Sequence, residues 1–148
     1  MRLILAALAT ALSLPAPAHA AWDLRQASGI AVMEQTVGGV TVSFQCLGGV
    51  RNRLNVSFGR AGGFPEPPRA VMLWIELPDG RTARHSMDSF GEDGQLSAEL
   101  LTSDLVLQQI RQASGLSFTI AGTGREIVRT DAKGTGAFRL AVLEQCGF

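Results

Sequence analysis

Tyrosine is absent from the 148 residues, lysine occurs once, and histidine and cysteine occur twice each. Such a chain has few groups with which to do acid–base, nucleophilic or metal chemistry. A zinc site, for example, asks for about four ligands. Charge of one sign is lacking too: 13 lysines and arginines stand against 13 aspartates and glutamates. That balance argues against nucleic acid or an anionic membrane as the main partner. Twelve arginines to one lysine reads as genomic composition rather than a binding patch. With 46% apolar and 18% charged residues, the chain has enough hydrophobic content for a core and too little charge for a disordered state.

Only one long apolar run occurs, and it stands at the start. Met1-Arg2 is positive, Leu3 to Leu14 is interrupted only by Thr10 and Ser13, and Pro15 and Pro17 precede Ala18-His19-Ala20. The small-x-small ending has the form of a signal-peptidase site. The expectation is cleavage after Ala20 and a mature domain of residues 21–148, in the periplasm or secreted. The run is short of the roughly 20 residues that span a bilayer, and no second one occurs, so no transmembrane segment is expected in the mature chain. Cys46 and Cys146 are then expected to form a disulfide, because an oxidising compartment tends to join an even pair. The bridge would close about 100 residues, worth about 4.7 kcal/mol in the chain-entropy model before any native strain. A redox pair and a metal pair are the alternatives, but redox motifs place their cysteines two residues apart.

The mature sequence alternates and turns like an antiparallel sheet from Gly29 onward. Ile30 to Val37 and Val40 to Cys46 flank Gly38-Gly39, a two-residue hairpin signal. In the second strand Val40, Val42, Phe44 and Cys46 share one face, so the cysteine is expected to face the core. Leu54, Val56 and Phe58 alternate in a third strand. Gly59 to Pro68 reads as a solvent-exposed crossover, since Pro65, Pro67 and Pro68 cannot supply ladder hydrogen bonds. The sharper alternative is an extended partner-binding segment. Ala70 to Leu77, through Trp74, is a nearly continuous apolar strand ended by Pro78-Asp79-Gly80, and Arg81 to Met87 returns as a more polar one. Asp88 to Gly94 reads as a loop.

One helix is expected over about 103–114. Thr102 or Ser103 can cap it and Asp104 suits its dipole. Val106, Ile110 and Ala113 form a stripe, with Leu105 and Leu107 widening the face that packs on the sheet. Gly115 is expected to end it. Leu116, Phe118 and Ile120 form a strand, which Gly122-Thr-Gly124 turns toward Glu126 to Thr130. Phe138 to Cys146 fits either a strand or a short C-terminal helix, and the helix is favoured. The fold class is therefore mostly β: an antiparallel β-sandwich or barrel with one packed α-helix.

Chemistry is sparse. His85 is flanked by Ser86 and Asp88, but neighbours on a strand point to opposite faces, so His85 and Ser86 diverge and an exposed edge-strand histidine is the better reading. Glu92 and Asp93 lack the oxygen spacing of a calcium loop. Gly122-Thr-Gly124 and Gly134-Thr-Gly136 lack the Lys-Ser/Thr pair that completes a phosphate loop, and read as turns. No catalytic, metal or cofactor set is assigned.

Two resemblances suggest roles. Phe44-Gln-Cys46, Leu54-Asn-Val56, Trp74 before a Pro-Asp-Gly turn, Leu116-Ser-Phe118 and Gly136-Ala-Phe138-Arg-Leu140 running to Cys146-Gly-Phe148 resemble small periplasmic β-rich proteins. The patterns are those of the type VI secretion accessory family TagO/VasI and of the invasion-associated locus B family. Separately, Ser114-Gly115-Leu116-Ser117-Phe118 and Asp131-Ala132-Lys133-Gly134 resemble the two motifs of periplasmic inhibitors of c-type lysozyme. Phe118 stands where that family has tyrosine and Ala132 where it has threonine. The resemblances imply an accessory protein of the cell envelope, linked to secretion under the first, that is not an enzyme. Its partner would be another protein rather than nucleic acid. A lysozyme inhibitor is the alternative, and a hydrolase using His85 a third. Pro65, Pro67, Pro68, Trp74, Ser114, Gly115, Phe118 and Lys133 are the candidate partner-binding residues.

Overall fold

The computed structural model describes residues 21–27, 30–46, 52–133 and 135–136. The leader, Cys146 and the ambiguous segment 138–146 lie outside the described residues. Among the described residues nine strands form one antiparallel sheet: Asp23–Ala27 (β1), Ile30–Val37 (β2), Val40–Cys46 (β3), Arg53–Arg60 (β4), Ala70–Glu76 (β5), Thr82–Glu92 (β6), Gln95–Leu101 (β7), Gly115–Ile120 (β8) and Glu126–Asp131 (β9). The helix Asp104–Gln112 (α1) lies between β7 and β8. The strand order is β1-β2-β3-β4-β7-β6-β5-β8-β9, so the chain meanders through four strands, crosses to β5, returns to β4 by way of β6 and β7, and uses α1 to reach the far edge of β5.

The sheet curls on itself. Phe44 lies on the third strand of the order and Phe118 on the eighth; in a flat sheet they would stand roughly 24 Å apart at about 4.8 Å per strand. Their ring centroids are 6.0 Å apart, and Phe58 of β4 meets Phe118 edge-on at 5.1 Å. Residues at alternate positions of the inner strands fill the space so enclosed, among them Val42, Leu54, Val56, Leu73, Ile75, Met87, Leu96 and Leu116. At the closing seam, Trp22 donates from its backbone N–H to Lys133 O (3.3 Å) and from Nε1 to Asp131 O (2.7 Å).

Local chemistry accounts for the hairpins. Gly38 and Gly39 both take positive φ, 58° and 79°, the type I′ geometry whose twist matches the flanking strands. Helix α1 starts where Ser103 Oγ accepts the backbone N–H of Val106, and its buried residues Val106, Leu107 and Ile110 belong to the sheet's core cluster. Packing is what makes so short a helix stable.

Several expectations need correction. β1 carries no strand signal, because its only large apolar residue, Leu24, is exposed; pairing with β2 and the Arg25–Glu34 ion pair hold it. Gly59 and Arg60 belong to β4. Asp88 to Glu92 continues β6 instead of looping, and Asp93-Gly94, both at positive φ, makes a tight turn into β7. Gly91 is a glycine because an added Cβ would stand 2.5 Å from Pro67 Cγ, not because the chain turns there. The helix ends at Ala113, and Gly115 opens β8 without a positive φ. Leu105, expected in the buried stripe, is 60% exposed.

Candidate functional site

β1 pairs with β2 as far as Glu34, where Asp23 is its partner, and Gln35 to Val37 continue in register with β3. Across the seam β9 is in register with β8. Between β2 and β9 lies a cleft of about 540 Å³, lined among others by Thr36, Gly38, Glu76, Ser114, Gly115 and Arg129. The Ser114 backbone N–H and Oγ–H both donate to Glu76 O, at 2.8 and 3.1 Å. Gly115 is opposite Asp131 in register. A Cβ on Gly115 would stand 2.9 Å from Glu76 Oε2, so the glycine leaves room for that carboxylate. Lys133 is exposed just beyond, with its backbone N–H donating to Asp131 Oδ1 at 3.1 Å.

Arg129 is the partition between this cleft and a second one. Its Nη1 donates to Glu76 Oε1, and its Nε donates to Glu126 Oε2 at 3.3 Å. Beyond it, on the outer face of β5 and β8, is a cleft of about 350 Å³ bordered by Trp74, Thr82, Ser117 and Thr119. β5 alternates, so Leu73 and Ile75 enter the core and Trp74 stays outside, half-buried. Its Nε1–H donates to Thr119 Oγ1 at 2.9 Å. Trp74, Ser117 and Arg129 are consecutive partners across the three strands.

The proline segment is docked on the sheet. Arg60 sits over the Phe64 ring at 4.2 Å, Phe64 N–H donates to Gly94 O at 2.9 Å, and Ser89 Oγ–H donates to Pro68 O. Pro67 and Pro68 border a third hollow, of about 460 Å³, with Arg69 and Arg125. Pro65 is exposed and borders none of the three clefts described.

The structure therefore gathers Trp74, Ser114 and Gly115 around one partition and leaves Lys133 exposed nearby. It removes Phe118 from the candidate surface: that side chain is 0% exposed, because β8 turns it inward between Phe44 and Phe58. His85 is not an exposed edge residue either. It shares the inward face of β6 with Met87, is half-buried, and has Nε2 2.9 Å from Gln109 Oε1 of α1. Ser86 diverges from His85 as expected, and Asp88, placed in β6, also points outward, so these three form no triad. Among the described residues no group of three or more His, Cys, Asp or Glu is placed to hold a metal ion, and no helix is long and apolar enough to cross a membrane. Cys46 is buried at the end of β3, facing the core. Sequence reasoning missed Glu76 and Arg129, which lie 53 residues apart and have no local signal linking them. No protein-family model matches the chain, and no curated protein or solved structure matches it.

Proposed function

We propose that the chain is an exported, non-catalytic accessory protein of the bacterial cell envelope that binds another protein along the seam between β2 and β9. What supports this reading is the open cleft of about 540 Å³ at that seam, with Thr36 exposed on its rim and Glu76, Ser114 and Arg129 in its lining. A polar cleft between two strands suits an extended segment of another chain. Export fits the leader, and under the same reading Cys46 and Cys146 are joined. A photo-reactive residue at Thr36, which is exposed on the cleft rim, tests the reading in exporting cells. One envelope protein should crosslink there, and the adduct should fall when Gly115→Val pushes on the Glu76 carboxylate. Absence of any adduct, or the same adduct from a photo-reactive residue at Gln112 on α1, would overturn the reading.

A lysozyme inhibitor is the second reading. It is favoured by the register that sets Gly115 opposite Asp131, laying the two resembling segments side by side. Slowing of c-type lysozyme in a turbidity assay at micromolar protein would support it, and full lysozyme activity would remove it.

A further inference from the structure

We propose that the Trp74 cleft on the outer face of the sheet is a binding site for a neutral saccharide. This goes beyond the protein-binding reading and does not depend on it.

A tryptophan on the solvent face of a strand is costly to leave wet, and among the described residues lining its cleft no other large apolar side chain covers it. Its neighbours are hydroxyls and charges: Thr82, Ser117, Thr119, Glu126 and Arg129. The Nε1–H bond to Thr119 fixes the indole, so its orientation is set before any ligand arrives, which reduces the entropy lost on binding. Arg129 is likewise held between two carboxylates. It occupies Glu76 Oε1 and Glu126 Oε2, leaving Glu76 Oε2 and Glu126 Oε1 to accept hydrogen bonds from a ligand.

Charge selects against ions. Glu76 and Glu126 are offset by Arg129 and by Arg84, the register partner of Trp74 on β6, so the rim is neutral overall. A pyranose has what such a site asks for: an apolar C–H face to lie on the indole, and a rim of hydroxyls that both donate and accept. At about 350 Å³ the cleft is at the small end of the roughly 300–1,000 Å³ range of ligand sites, a size suited to sugar units and not to a folded domain.

The test is a titration of the folded, exported chain with chitotriose and with maltotriose, monitored by tryptophan fluorescence and by saturation-transfer NMR of the sugar. Trp22, the only other tryptophan, is buried, so an emission change on binding reports Trp74. A saturable change is expected with at least one sugar. Binding to chitotriose alone assigns an acetamido-sugar glycan, and binding to both assigns the pyranose face itself. Trp74→Ala should lower affinity by about tenfold or more through the lost contact area. Thr119→Val, which keeps the ring and removes its hydrogen-bond partner, should weaken binding about threefold. No saturable change with either sugar, or unchanged affinity in both variants, overturns the proposal. The Thr36 crosslink stands or falls separately.

Discussion

Removing the ring at Phe118 should cost the fold more than any other single truncation on β8. The side chain is fully buried, and it joins two parts of the sheet that are distant in strand order through Phe44 at 6.0 Å and Phe58 at 5.1 Å. Phe→Ala in a core typically costs about 3–5 kcal/mol, and favourable ring pairs contribute about 0.5–1.5 kcal/mol each. Phe118→Ala should therefore fall in the upper half of the first range, about 4–5 kcal/mol. Against a typical total of about 5–15 kcal/mol, that is a large loss. Urea denaturation reads it: with a slope of about 2 kcal/mol/M, the midpoint should drop by about 2 M. Leu105→Ala, at a residue 60% exposed, should stay within about 0.5 kcal/mol of the parent. A double-mutant cycle with Phe44→Ala should show coupling, since touching residues deviate from additivity by about 0.5–3 kcal/mol. A loss below about 1.5 kcal/mol for Phe118→Ala, or zero coupling to Phe44, would refute the curled arrangement.

Alkylation of exported material without reductant should leave the intact mass unchanged if Cys46 and Cys146 are joined, and Cys46→Ser should lower stability by up to about 4.7 kcal/mol; two alkylated thiols would contradict the pairing. His85→Ala, which deprives Gln109 Oε1 of its partner, should lower stability by about 1 kcal/mol and preserve the fold, as read by thermal melting. At Asp79, the backbone N–H and then the guanidinium of Arg81 hold the carboxyl below its ordinary value of 3.8. A carboxyl depressed in this way stabilises the fold above that value and loses its contribution as pH falls through the lowered one. Melting temperatures of the parent and Asp79→Asn should accordingly differ by a small constant amount near neutrality and converge below about pH 4; a gap that widens in acid would contradict the contact.

Much of the fold is legible where period and turn chemistry agree. Val42, Phe44 and Cys46 alternate between clear turn signals, and Ser103 with Asp104 marks the start of a helix. It is illegible where a residue serves a distant neighbour. Gly91 makes room for the Pro67 ring, and Gly115 lies in β8 beside the end of the Glu76 side chain, so both glycines look like chain terminators and are strand residues. β1 has almost no apolar content and owes its place to pairing with β2 and the Arg25–Glu34 ion pair. The site divides in the same way. Trp74, Ser114 and Gly115 stand out by residue type, and the structure brings them together. Phe118 stands out equally, yet strand parity places it in the core. The Glu76–Arg129 partition depends on the order β5-β8-β9, which no local spacing encodes.

Backbone amide exchange tests the central claim, that a partner adds along the seam, most directly. Exchange is measured on the chain alone and with the protein that crosslinks at Thr36. Slowing is expected at residues 36–37 and 126–130, on the two sides of the cleft, with the buried strands β3 and β4 unchanged. Slowing confined to α1 or to the proline segment, with none at those positions, would contradict the account.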